Sequence, residues 1–403
     1  MKLKTSFWFG LLVTASFGFS PLAVSADENS EPTLLEINAE PILSTPVQFP
    51  SKFTYDSGIA IDYPENGVKG IYVTAYSAGG TDKMKELINF VNTSGLNSMV
   101  IDVKDDVGNM TMDLKSENKI VQDSTKHYVT DPAAMMKQLE ENEIYPIARV
   151  VVFKDTLLAE ARPELSFKKA DGSVWKNGNG DAFVNPFSKE VWDYNIEVAK
   201  QAAKMGFKEI QFDYVRFPEG FENESKSLDY TLGDYETSDL DDIQQRVSAV
   251  SDFVAYAREQ LKAYDVEVSV DIFGYSATVP EAPGIGQNFS KISENVDVIS
   301  SMIYPSHWNS YFGISKPDLE PYKLVAEYMK VENKLLSGLE TPPKSRPWLQ
   351  DFTASYLGAG NYQQYGAAQV EDQVRALHDA GVNEFLLWDA SNSYTTGVTY
   401  NME

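Results

Sequence analysis

From Gly67 onward, eight short runs of β-branched and aromatic residues alternate with helix-like stretches, and this alternation holds to the end of the chain. The runs cover residues 70–75, 98–103, 145–153, 208–214, 266–272, 296–304, 345–352 and 383–389. Between them, apolar residues recur at helical spacing. Met84, Leu87, Ile88 and Val91 form one stripe, and Ile243, Val247, Val250, Val254, Ala257 and Leu261 form another. Gly95, Gly206 and Gly381 stand where a helix must stop before the next strand. Strict alternation of this kind implies a parallel sheet, because each strand has to be carried back to the same end by a helix. Eight such units in roughly 335 residues fit a closed (β/α)8 TIM barrel over residues 67–403 better than an open sheet. No Gly-x-Gly-x-x-Gly follows the first run, so a dinucleotide-binding variant has no support. The segments after runs two, three, four and six are long, which concentrates loop material on the face where barrels do their chemistry.

Two different stretches precede the barrel. Lys2 and Lys4 begin a basic start, 7–19 is apolar, and Val24, Ser25 and Ala26 supply small residues for signal cleavage. The apolar run is shorter than the roughly 20 residues that cross a bilayer. Residues 1–26 therefore read as a signal peptide and the protein as secreted or envelope-associated, with no integral membrane segment left after cleavage. Residues 27–66 are acidic and broken by Pro32, Pro41, Pro46, Pro50 and Pro64, and they read as a linker.

An exported chain with no Cys has no disulfide to stabilise it and no thiol to carry a lipid, so one large core must suffice. The formal charge of −25 becomes −27 once Lys2 and Lys4 are removed. That balance argues against nucleic acid or anionic membrane partners, which select basic surfaces. Oligomeric state is not readable from these features.

Barrel chemistry projects from the carboxyl ends of the strands. Those ends carry Tyr76, Asp102, Lys104, Asp106, Arg149, Lys154, Asp213, Arg216 and Asp271, followed by Tyr304, His307, Trp308, Trp348, Gln350, Asp351, Trp388 and Asp389. Turns and helix caps also favour Asp at such positions. Asp213 and Asp271 rise above that background. Ile210 and Phe212 alternate with polar neighbours, as do Val266, Val268 and Val270, so strand parity turns both carboxylates into the mouth. Two inward carboxylates on adjacent strands cannot easily both ionise, which suits acid/base work. The alternative is a structural ion pair of Asp213 with Arg216 or Lys104. His307, just past the sixth run, is placed to touch a sugar hydroxyl or hold a carboxylate. Trp308, Trp348 and Trp388 offer ring surfaces for stacking.

Glycoside hydrolysis needs two carboxyl groups and neither metal nor cofactor. His127, His307 and His378 are the three histidines, and no two are close in sequence, so a zinc hydrolase is disfavoured. No Gly-x-Ser-x-Gly is present for an esterase.

The segments 70–74, 101–105, 211–218, 346–352 and 387–392 resemble the blocks of a bacterial family of glycosyl hydrolase domains, and the likeness spans nearly all of 67–400. The resemblance implies a TIM barrel and a sugar-cleaving activity, without a settled substrate. A looser similarity links the chain to α-amylase-like barrels, which place carboxylates after strands four, five and seven. Asp213, Asp271 and Asp351 occupy those positions, with Asp at strand five where those enzymes carry Glu as the acid. The resulting expectation is a polysaccharide hydrolase with Asp213 as nucleophile or base, Asp271 as acid, and Asp351, Arg216 and His307 shaping the charge. A glycan-binding barrel without catalysis is the main alternative. A lyase on uronic-acid polymers, using Lys104, Arg149, Lys154 and Arg216, is a third.

Overall fold

The computed structural model describes residues 54–402. The expected signal peptide and the first part of the expected linker lie outside them. Eight parallel strands form the barrel: β1 (Lys69–Val73), β2 (Ser98–Lys104), β3 (Tyr145–Val151), β4 (Glu209–Asp213), β5 (Glu267–Phe273), β6 (Val298–Met302), β7 (Trp348–Gln350) and β8 (Phe385–Trp388). Each pairs with its sequence neighbours, and β1 closes the ring by pairing with both β2 and β8. The connecting helices are α1 (Thr81–Ser94), α2 (Pro132–Glu141), α3 (Lys189–Met205), α4 (Asp242–Leu261), α5 (Phe289–Ser293), α6 (Pro321–Leu336) and α7 (Ala367–Asp379).

The local chemistry explains these boundaries. Met84, Leu87, Ile88 and Val91 are the buried stripe of α1, and Gly95 ends that helix in the left-handed conformation. Asp131 caps α2 ahead of Pro132, and Asp241 caps α4 by accepting from the Ile243 and Gln244 amides. Gly206, which ends α3, has φ +113°, and a Cβ there would collide with the Ile59 side chain. This glycine is needed both for its backbone angle and for a close approach.

Among the described residues no helix follows β8. Instead, residues 394–402 return along the outside of the barrel without a regular element. Tyr394 stacks on Phe90 of α1, Tyr400 packs on Phe385, and Asn401 accepts a hydrogen bond from Lys69 at the foot of β1.

Residues 54–66 pack on the barrel's underside, so the packed body begins before residue 67. The Lys208 ammonium donates to the Ile59 carbonyl, the Ala60 amide donates to Glu140, and Ile61 is buried. Beneath the barrel lies fully buried Arg346, which donates to Glu209 at 2.7 Å, to Glu384 at 2.8 Å and to the Tyr63 hydroxyl at 2.9 Å.

The barrel interior is unusually polar for a space that is commonly filled by branched aliphatics. Strand register aligns Asp102, Arg149, Gln211 and Ser269 in one row around the wall. Glu209 and Glu267 form a row below it. Asp213 and Asp271 lie above it, each one residue beyond the paired Phe212 and Val270. The two carboxylates thus stand side by side on adjacent strands, as the alternation of apolar residues implies.

Candidate active site at the barrel mouth

The centre of the mouth is an arginine. Arg149, buried on β3, donates to Asp102 at 2.7 Å, to Asp106 at 2.8 Å, and twice to Asp213, at 2.6 and 3.0 Å. The other Asp213 oxygen accepts from the Tyr214 amide at 2.6 Å. Both oxygens of Asp213 therefore face donors, as suits a carboxylate in charge-assisted bonds. Tyr214 holds a left-handed φ of +53°, a costly conformation for a bulky residue, at the rim of β4. Neither of the two cations that the sequence offers as ion-pair partners reaches Asp213. Arg216 bonds Glu219 and Lys104 bonds Asp155, and Arg149 takes the place expected of them.

Asp271 sits beside this cluster without a cation bonded to it. Its Oδ1 accepts from the Trp348 indole N–H at 2.7 Å. Burial, and then the charge of Asp213, push its pKa well above the usual carboxylate range. Asp102 is pushed up to about 6 by burial, although Arg149 and the Tyr72 hydroxyl, bonded at 2.5 Å, act to lower it. The Tyr304 hydroxyl is likewise pushed up, by burial first and then by Asp271 and Asp213.

Aromatic rings surround the carboxylates. Trp388 stacks on Tyr72 at 4.1 Å with 17° between planes, and it is only partly buried. Tyr304 lies 5.1 Å from the His307 ring and 6.4 Å from Trp388. His307 is exposed and Trp308 half-buried, so both present surface at the rim of β6. Tyr76 is 73% exposed and packs on Tyr128 across the mouth of β1.

Other expected site residues have internal partners. Lys104 is fully buried against Asp155 at 2.7 Å and bonds Asn195, so it faces away from the mouth. Trp348 is 1% exposed and acts through its N–H on Asp271. Gln350 is buried, accepting from the Ser306 amide and donating to Asp318 and to the Phe352 carbonyl. Asp351 accepts from the amide and hydroxyl of Thr395, which pins the segment after β8 and is not a contact with the Asp213–Asp271 pair. Asp389 caps the turn at Ser391 and Ser393. In that turn Asn392, at φ +53°, accepts from Thr74 and donates to the Tyr72 carbonyl, tying β8 to β1. Arg216 lies against the Tyr214 and Phe273 rings. No His-, Asp- or Glu-rich group among the described residues converges as a metal site.

Asp106 stands at a strand end in the sequence with nothing to single it out, and Lys154 figures there only in the lyase reading. Tyr72, which bonds Asp102, escapes sequence reasoning, although its even spacing from Thr74, just past β1, is a usable signal.

The chain is thus a closed parallel barrel with paired carboxylates and aromatic rings at its mouth. The chain belongs to the family described as "Putative glycosyl hydrolase domain", whose model matches residues 70–394. It is 32% identical to a hypothetical protein from Ruminiclostridium thermocellum, covering 50% of this chain and 96% of that one with a TM-score of 0.43. The glycoside hydrolase domain of PgaB (BpsB) from Bordetella bronchiseptica is 12% identical, with 80% of this chain and 94% of that one covered at a TM-score of 0.54. An α-amylase from Lactobacillus plantarum is 13% identical, with 80% and 70% covered at a TM-score of 0.51. At these identities the last two show the fold alone. No curated protein matches the chain.

Proposed function

We propose that this protein is an exported glycoside hydrolase that cleaves an envelope or extracellular polysaccharide without metal or cofactor. The observation that carries the reading is the unequal environment of two neighbouring carboxylates. Asp213 is held between a guanidinium and a backbone amide, whereas Asp271 has no bonded cation and is raised by burial. Glycosidases need this division of labour, one carboxyl group kept protonated and one ionised. Asp271 is then the acid that protonates the leaving oxygen, and Asp213 the nucleophile or the base that activates water. Arg149 orients Asp213, and the Trp348 N–H fixes which oxygen of Asp271 carries the proton. Trp388, Trp308 and Tyr76 present ring faces to sugar, and His307 and Tyr304 present polar edges.

The test is release of reducing ends from a panel of wall and matrix polysaccharides, compared with retention of the same glycans by the protein. A chain that retains glycan at the mouth and releases no reducing ends is a binding barrel, and the hydrolase reading fails. Because Asp271 must be protonated to act, turnover should fall as pH rises through its elevated pKa. A rate that climbs through alkaline pH speaks against that role.

A further inference from the structure

Beside Asp213, and outside the machinery just described, the mouth contains a cavity of about 270 Å³. Its walls include Lys154, Asn177, Asp181, Phe183, Tyr214 and Arg216. The volume lies near the ~300 Å³ lower end of ordinary ligand sites, a size suited to one sugar ring and not to a chain of them. Tyr214 follows Asp213 directly, and Lys154 reaches Asp106, which bonds Arg149. The cavity therefore adjoins the carboxylate pair.

Its two cations are buried more deeply than they are paired. The Arg216 side chain is 8% exposed, yet it reaches only the Phe217 carbonyl at 3.2 Å and Glu219 at 3.3 Å, and Glu219 is 70% exposed. A guanidinium has five N–H donors, so three of these have no acceptor among the described residues. Aromatic rings lie 4.7 Å away at Tyr214 and 4.6 Å at Phe273. Lys154 is 14% exposed and meets Asp106 and Asp181 only at 3.6 and 3.4 Å. Arg149 and Lys104, by contrast, have partners at 2.6–2.8 Å. A planar guanidinium with open donors matches a carboxylate in bidentate fashion, and the nearby ammonium adds a second charge.

We infer that this cavity is a subsite for a carboxylate-bearing sugar, so the polymer recognised at the mouth contains uronic acid units next to the bond that Asp213 and Asp271 address. The inference rests on the carbohydrate reading above but not on turnover. Asp181 and Glu219 also line the cavity and offset part of its positive charge, while exposed charges beyond about 8–10 Å are screened by salt.

The experiment is calorimetric titration of the full chain, with Asp271→Asn to prevent cleavage, using trisaccharides of galacturonate and glucuronate. Their methyl esters, the matching neutral trisaccharides, and sulfated and phosphorylated equivalents complete the panel. The free acids should bind at least about tenfold more tightly than their esters, and Arg216→Gln and Lys154→Gln should each erase most of that preference. Lys154→Gln carries the test alone if Arg216→Gln fails to fold. Equal binding of acid and ester, a preference that survives Lys154→Gln, or binding confined to sulfated or phosphorylated sugars each overturns the inference. Acid-selective binding by a protein that never cleaves would sustain the subsite while removing the hydrolase reading. Efficient cleavage of neutral glycans with no acid preference would do the reverse.

Discussion

Two of the buried arginines stand at opposite ends of the barrel, and they are used differently. Beneath the strands, Arg346 is surrounded by Glu209, Glu384 and Tyr63 in a closed set, with the side chains of Arg346 and Glu209 both at 0% exposure. At the mouth, Arg149 binds three carboxylates, one of which, Asp106, is 42% exposed, and a fourth carboxyl group, Asp271, stands beside them bonded to an indole. On the underside both carboxylates bond the arginine, and residues 54–66 pack against the network. The upper cluster is open and has one acid more than its cation binds. Buried ion pairs alone are weak evidence of function, since structure uses them as readily as chemistry does. The informative difference is the surplus acid on the open side.

Matched substitutions should break or sharpen this contrast. Asp213→Asn and Asp271→Asn are each expected to lower turnover on the order of 10³-fold or more, because acid or nucleophilic assistance is lost. The fold should survive both, since Arg149 keeps Asp102 and Asp106 when Asp213 is neutralised. Turnover and thermal melting of the same samples check this. An unfolded or still active Asp213→Asn would make the mouth cluster a copy of the lower one.

The lower cluster should give the opposite result. Arg346→Met leaves Glu209 buried without a partner and should cost about 3–5 kcal/mol, read by urea denaturation. Turnover per folded molecule should not change. A selective loss of activity with stability intact would mean that the underside communicates with the mouth.

The barrel and the inward direction of Asp213 and Asp271 were legible because alternation at period two survives in β4 and β5. Strand seven was less readable. It is broken into Lys344–Ser345 and Trp348–Gln350, and parity had ended by Asp351, whose oxygens are claimed by Thr395, 44 positions along the chain. Arg149 could be seen as a polar residue at a strand end, but its three partners come from β2, the loop after it and β4, and no local pattern names them. The Arg346 network was not legible at all. It joins Glu209 across 137 positions and Tyr63 across 283, and Tyr63 lies in a proline-broken stretch that reads as linker.

Proton linkage offers a smaller and more specific comparison at the mouth. Asp102 has a folded pKa of about 6, above its ordinary 3.8. The folded state therefore binds the extra proton between those values, and the contribution of Asp102 to stability is fully present below about pH 4 and is lost as pH rises through 6. An amide at this position has no such proton. The stability of Asp102→Asn relative to wild type should rise across pH 4–6 by about 2–3 kcal/mol and then level off. Urea midpoints at several pH values measure it, and a difference that is flat with pH would show that Arg149 fully offsets the burial of Asp102.

The smallest expected effect tests how far the underside depends on the segment before β1. The Tyr63 hydroxyl bonds Glu384 at 2.7 Å and accepts from Arg346 at 2.9 Å. Tyr63→Phe keeps the ring against Tyr145 and under the Lys344 ammonium but deletes both bonds. Arg346 retains Glu209 and Glu384, so no charge is stranded, and the loss should be about 1–2 kcal/mol, the range for one buried hydroxyl's bonds. A chain beginning at Asp62 keeps Tyr63 but loses Ile59 and its seat against Gly206, and it should still unfold in one cooperative step. Both are read by denaturant titration alongside turnover, which neither should alter. If the shortened chain melts without cooperativity, residues 54–61 are part of the core, and the lower cluster is held shut by them as much as by its own charges.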